Sequence, residues 1–338
     1  MTDDAAPPPA VLAAYGIAGA VAEPVAGGLI NRTYRVVAGD RPIVLQRLHP
    51  VFRAEVNDDI DAVTEHLAHK GVYTPRLVRT RDGATSLAVD GAIWRALTYV
   101  DGATHHRCPG AAHAEAGFAA IARFHRALAD FGAPLRSARP GVHDTAAHLA
   151  RLRAVAGDRP LARDILAAAA DLPVLAPAPR RLAHGDLKIS NVLFAREAPP
   201  RALCLIDLDT VGRQTMAYEL GDALRSWCNP HGEDVSAPEI DEELVARALR
   251  GYADAAGALL TPIERADLIA GLETVCVELA ARFCVDVVED RYFGWDPARF
   301  ASRREHNEVR ARGQLALAHS VRRRRAALRA LVDRAFAR

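Results

Sequence analysis

The densest run of chemically capable side chains is His184-Gly185-Asp186-Leu187-Lys188-Ile189-Ser190-Asn191. A second run, Ile206-Asp207-Leu208-Asp209, follows it after two short apolar stretches. Each polar group has a use in phosphoryl transfer. An Asp on a short loop can accept the proton of a substrate hydroxyl. An Asn five positions later can bind Mg2+ through its amide oxygen, and an Asp after the next strand can bridge metal ions holding the β- and γ-phosphates. Lys188, two residues past Asp186, stands where a cation can offset charge on the group in transit. A lone His-Gly-Asp also fits a tight turn with capping side chains. The full combination, with Asn191, an apolar strand and then two further acids, is what points to phosphoryl transfer.

Loops of this kind need strands to carry them. Asn191-Val-Leu-Phe and Leu203-Cys-Leu-Ile, separated by Pro199-Pro200, read as a strand pair bracketed by polar loops. Upstream, residues 1–10 read as a flexible tail. Arg32-Thr-Tyr-Arg-Val-Val and Ile43-Val-Leu-Gln-Arg-Leu alternate as two antiparallel strands joined by a turn at Ala38–Pro42. Val56, Ile60, Val63 and Leu67 mark a helix over 56–70 that Gly71 stops. Arg76–Thr80 and Ile93–Val100 read as further strands, giving a lobe of about five strands and one helix over residues 11–100. Asp101-Gly102 is a turn and a candidate hinge. Helices dominate residues 101–338, at about 111–131, 144–156, 160–171, 217–228, 241–257, 262–290 and 302–336. The expected class is α+β, with a small antiparallel-sheet lobe and a larger, mainly helical one.

Composition narrows the partners. The chain has 338 residues and a formal net charge of +1, so no global field steers it to nucleic acid or an anionic membrane. Half of its residues are hydrophobic, which excludes intrinsic disorder. Five scattered cysteines with no Cys-x-x-Cys pair predict neither a zinc site nor a disulfide framework, and a reducing cytoplasm is the expected compartment. No signal peptide or membrane span is expected. Ser302–Arg338 carries 11 Arg against 3 acids and reads as a solvated basic helix face. The partner expected is a small molecule bearing a hydroxyl, taken by a monomer or homodimer.

The sequence resembles the aminoglycoside phosphotransferase and choline kinase superfamily, which has a protein-kinase-like two-lobed fold. It is most similar there to the N-acetylhexosamine 1-kinase branch. The resemblance is carried by Gly27–Tyr34, Val44–Leu48, His184–Phe194, Ile206–Val211, Leu220–Arg225 and Glu305-His306-Asn307. It implies an ATP- and Mg2+-dependent kinase, with the anomeric hydroxyl of an N-acetylhexosamine or related sugar as acceptor. An aminoglycoside, choline or other small alcohol is the alternative, and an inactive nucleotide-binding module the alternative of another class. Asp186 would be the catalytic base and His184 would shape its loop. Asn191 and Asp207 would hold Mg2+, with Asp209 nearby as a metal-facing or supporting acid. Gly27 and Gly28 would let the backbone approach the ATP phosphates, with Asn31, Gln46 and Arg47 on the nucleotide side. Tyr99 and Val100 would offer backbone groups to adenine.

One departure stands out. A kinase keeps a Lys on its third strand, paired to a helix Glu, but the only lysines here are Lys70 and Lys188. Gln46 occupies the strand position, with Glu65 the candidate helix partner. Asp222, Arg225, Arg282 and Trp295 are the candidate acceptor contacts, Trp295 as a stacking surface for a sugar ring.

Overall fold

The computed structural model describes residues 6–25, 31–39, 41–137 and 143–337. The chain falls into two units by its own contacts. One is Met1–Asp101, Asp130–Ala138 and Ile206–Asp209; the other is Gly102–Ala129, Arg139–Leu205 and Thr210–Arg338.

The first unit begins with α1 (Pro9–Ala14) and β1 (Val21–Pro24), then a hairpin of β2 (Arg32–Ala38) and β3 (Arg41–Arg47). It continues through α2 (Val56–His69), β4 (Leu77–Val78), β5 (Leu87–Val89) and β6 (Ala92–Thr98). The strands make one antiparallel sheet ordered β1-β2-β3-β6-β4, with β5 also paired to β6. Alternation gives the sheet two characters. Tyr34, Val36, Leu45, Trp94 and Ala96 are buried with Val11, Leu12 and Tyr15. Their strand neighbours Thr33, Gln46 and Arg95 fall on the opposite face. Helix α2 buries Val56, Ile60, Val63 and Leu67, and Gly71 follows its cap with φ +73°, a conformation that favours glycine. Asp59, buried on that helix, accepts the backbone N–H groups of Arg136 and Ser137, both at 2.8 Å, and so ties the 130s segment to it.

Two sequence expectations need correction here. Pro9 and Ala10 belong to α1, because proline is tolerated in a first helical turn and Val11 and Leu12 have a core to enter. The strand expected over Arg76–Thr80 is only Leu77–Val78, since β5 shares the same edge of β6. Asp40 of the expected turn lies outside the described residues.

The second unit contains α3 (Ala111–Ala127), α4 (Thr145–Ala156), α5 (Pro160–Ala170), β7 (Arg181–Ala183), β8 (Val192–Phe194), β9 (Ala202–Leu205) and β10 (Gly212–Gln214). Helices α6 (Met216–Trp227), α7 (Glu242–Ala256), α8 (Pro262–Ala266), α9 (Leu268–Glu289), α10 (Arg303–Arg323) and α11 (Arg325–Phe336) complete it. β8 and β9 pair as expected, and β7 pairs with β10. Helix α9 is buried almost all round, the mark of a helix inside a core. Helix α6 lies against it at backbone distance: a Cβ on Gly271 would sit 2.0 Å from the Ala217 carbonyl oxygen. No side chain larger than hydrogen fits there.

The single helices expected over 262–290 and 302–336 are each two. Thr261 and Glu264 form a reciprocal cap that starts α8, and the chain turns at Asp267 before α9. The last stretch turns at Arg324. Its basic residues are not simply a solvated face. Arg322 and Arg325 donate to the two oxygens of fully buried Glu273, at 2.7 Å each, and Arg324 donates to Glu239 at 2.8 Å. Arg322 and Arg325 thus serve a buried acid, while Arg304, Arg312, Arg323, Arg329 and Arg334 are exposed.

Candidate active site

The loop 184–191 leaves β7 through Gly185, whose φ is +83°. A Cβ there would lie 2.3 Å from the Thr210 carbonyl oxygen, so both conformation and space require glycine. Glu219 on α6 pins the loop. Its fully buried carboxylate accepts the backbone N–H of His184 at 2.8 Å and of Gly185 at 3.0 Å, together with His125 Nε2 at 3.0 Å and Gln214 Nε2 at 2.6 Å. Burial works against its charge, but these donors and the neighbouring histidines win, and the carboxyl is held below its ordinary pKa. Further down α6, Ser226 Oγ accepts the Ile189 N–H at 3.1 Å, and Trp227 Nε1 donates to the Leu187 carbonyl at 2.9 Å. Thr210 Oγ1 donates to the His184 carbonyl at 2.9 Å.

The loop gathers the predicted residues around Asp186. Lys188 Nζ forms an ion pair with Asp186 Oδ2. Asn191 Nδ2 donates to the Asp186 carbonyl at 2.9 Å and to Oδ2 at 3.2 Å. His184 is buried under the loop, and its Nδ1 accepts the Asp186 N–H at 3.3 Å. Burial raises the Asp186 pKa, but the Lys188 ammonium outweighs it, helped by His184 and Arg225, and holds the carboxyl below its usual value. Asp186 is therefore ionised at neutral pH, with its side chain about 29% exposed.

The first unit holds the second acidic cluster. Asp207 adopts φ +63°, a left-handed conformation that Asp tolerates better than most residues. Asp209 is buried, and both of its oxygens are engaged. Arg95 grips it from both terminal nitrogens, with Nη2 to Oδ2 at 3.0 Å, and Asn31 Nδ2 donates to Oδ2 at 2.6 Å. Arg95 Nε also donates to Gln46 Oε1 at 2.8 Å, and Gln46 Nε2 donates to Thr33 Oγ1 at 3.1 Å. Asn31 Oδ1 accepts the His49 N–H at 2.9 Å. Asn31, Gln46 and Asp209 are thus brought together by Arg95, which sequence reasoning missed. Both oxygens of Asp209, named above for a metal-facing or a supporting role, are engaged by Arg95 and Asn31. Glu65 is exposed and is not the partner of Gln46.

Other candidates fall in three places. Arg225, buried on α6, donates from Nε to Asp222 Oδ1 at 2.8 Å and pairs through Nη1 with Glu233. Burial opposes its charge, yet the two acids raise its pKa above the arginine value. Arg282 stacks its guanidinium 5.7 Å from the Phe293 ring centroid. Trp295 is half-buried in the loop after α9. Asp286, buried on α9, shapes that loop by accepting the N–H groups of Arg291, Tyr292 and Phe293 at 2.8–3.0 Å. In the first unit, Arg47 ends β3 opposite Trp94, and Arg35 lies over the Tyr99 ring at 5.3 Å; Val100 is half-buried. Gly27 and Gly28 lie outside the described residues. Among the described residues, no group of three His, Cys, Asp or Glu side chains is arranged to hold a metal.

Comparisons with known proteins show the family and the fold. The model of the phosphotransferase enzyme family matches residues 21–260. The homoserine kinase of Acidiphilium cryptum is 33% identical over 241 residues, 68% of this chain and 71% of its own. That of Granulibacter bethesdensis is 28% identical over 303 residues, 85% of each chain. Other curated relatives, such as the homoserine kinase of Brucella anthropi, match over 50% of their length. Among solved structures, the microcompartment-associated aminopropanol kinase has a TM-score of 0.61 at 17% identity, over 92% of this chain and 94% of that one. An aminoglycoside phosphotransferase in ternary complex with ADP and hygromycin B has a TM-score of 0.55 at 13% identity, over 92% and 96%. The fold they share is the protein-kinase-like one, with an antiparallel-sheet N-terminal region and a helical C-terminal region. The chain belongs to the phosphotransferase enzyme family, as a kinase whose acceptor is a hydroxyl group.

Proposed function

We propose that the protein transfers the γ-phosphoryl group of ATP to a hydroxyl of a small polar molecule, with Asp186 as the base. The observation that carries this reading is the Asp186 carboxylate, kept ionised between Lys188 and Asn191 on a loop that Glu219 fixes. An ionised carboxylate of depressed pKa is a weak base. It suits a loose transition state, in which the acceptor proton leaves late and the carboxylate first orients the hydroxyl. Lys188 offsets charge on the group in transit.

Asn191 and Asp207 would hold Mg2+, which when bound neutralises charge on the β- and γ-phosphates. The donor types suit a hard cation: the Asn191 nitrogen is committed to Asp186, which leaves its amide oxygen as the atom it would offer to metal, and Asp207 would add a carboxylate. Gly27-Gly28, Arg47 and the Tyr99–Val100 backbone would serve the nucleotide.

For the acceptor, the names of the curated relatives favour an amino-acid alcohol of the homoserine type. The Leu45-Gln46-Arg47 and Ile206–Val211 segments favour an N-acetylhexosamine and form the second reading. A coupled ADP-release assay with Mg·ATP decides between them, using L-homoserine, N-acetylhexosamines, choline, aminopropanol and aminoglycosides as acceptors. Homoserine-dependent ADP release, with phosphorus NMR showing a phosphomonoester, is the expected result. Turnover with a hexosamine alone supports the second reading, and no acceptor-dependent ADP release refutes both.

A further inference from the structure

We propose that Arg95 is a positioning residue that takes over the structural half of the missing strand lysine: by clamping Asp209 it fixes the backbone that presents Asp207. The proposal rests on the reading of Asp207 as a magnesium ligand.

The strand register builds the device. Thr33 faces Gln46 across β2 and β3, and Gln46 faces Arg95 across β3 and β6, so the three residues form one row on the sheet face turned away from the apolar core. Hydrogen bonds run along the row, from Gln46 to Thr33 at 3.1 Å and from Arg95 Nε to Gln46 at 2.8 Å. The row aims the guanidinium fork, since Nε is spent on Gln46 and both terminal nitrogens reach Asp209. Asn31, fixed by His49, closes the carboxylate from another side. Arg95 is 1% exposed and Asp209 5%, so neither charge has water as a substitute.

The backbone at Asp207 is strained. Asp207, with φ +63°, is one of three described non-glycine residues in the left-handed region. Such a conformation persists only where its surroundings over-determine it. Leu208, buried next to it, and Asp209, clamped two residues on, provide that determination. A lysine in place of Gln46 would carry one charge toward a nucleotide. The neutral amide instead accepts a hydrogen bond from an arginine that works on the metal loop.

The test compares Arg95→Met, Asp209→Asn and Asp207→Asn with the wild type. Asn is well tolerated in the left-handed region, so the last variant removes charge and keeps the loop conformation. ADP binding is measured calorimetrically in EDTA and in Mg2+, and Mn2+ binding to the ADP complex by electron paramagnetic resonance. With Arg95→Met and Asp209→Asn, ADP affinity in EDTA should stay within about threefold of wild type. Its gain on adding Mg2+ should fall by at least about tenfold, as for one lost charge-assisted contact. KM for Mg·ATP should rise more than kcat falls. Should Arg95→Met fail to fold, Asp209→Asn, which keeps the side-chain shape, carries the same expectation. An unchanged Mg2+ gain in Asp209→Asn, while Asp207→Asn loses it, overturns the positioning role. An unchanged gain in Asp207→Asn overturns the metal assignment itself, and the proposal with it.

Discussion

Glu219 gives the sharpest quantitative expectation. Its two oxygens each serve a pair of donors: Oε1 takes His184 N–H and His125 Nε2, and Oε2 takes Gly185 N–H and Gln214 Nε2. In Glu219→Gln one side of the amide still accepts, while the other turns an NH2 toward two donors. Two charge-assisted bonds are lost, at about 1.5–3 kcal/mol each, so the variant should lose ~3–6 kcal/mol of stability at pH 7, in line with breaking a buried charged network. Urea unfolding followed by tryptophan fluorescence measures it. The loss should also depend on pH. The Glu219 pKa is lower folded than unfolded, so the stability it contributes is present in full above the ordinary carboxylate pKa and disappears as pH falls through the folded value. The gap between wild type and variant should therefore be wide at pH 7 and narrow as pH falls below about 4.5. A loss under about 1 kcal/mol at pH 7, or a gap that widens in acid, would refute the view that this carboxylate pins the loop.

Two further variants test neighbouring parts of the account. Lys188→Ala should cut turnover far more than Gln46→Ala, because Lys188 pairs with Asp186, the proposed base, whereas Gln46 spends both amide ends on Thr33 and Arg95; Gln46→Ala should cost on the order of 1 kcal/mol in nucleotide binding, and parallel steady-state kinetics with binding titrations settle the order. Asp286→Ala frees three backbone N–H groups of the loop that carries Trp295, so hydrogen exchange over 290–296 should speed up while the loop at 184–191 keeps its protection.

The reach of the sequence follows the range of the interactions. The loop at 184–191 is legible because its residues act on one another within a few positions: Lys188 and Asn191 both turn onto Asp186. Helix α2 is legible because its apolar spacing and its stop at Gly71 are local. Arg95 is not, because Ile93-Trp94-Arg95-Ala96 reads as an ordinary strand until Gln46 and Asp209, far away in sequence, are placed beside it. One charge in an otherwise apolar strand was the only hint. Glu219 is hidden for the same reason, as an unremarkable helix residue whose partners come from three other segments. The breaks at Asp267 and Arg324 escape because apolar periodicity continues through them without proline or glycine.

The central claim is that Asp186 is the base of a kinase, and one substitution tests it most directly. Asp186→Asn keeps the size of the side chain while removing its charge and the proton acceptor. With the best acceptor from the panel and saturating Mg·ATP, single-turnover phosphorylation should slow by at least roughly 10²-fold while Mg·ATP affinity stays close to wild type. Near-wild-type turnover in that variant would contradict the account.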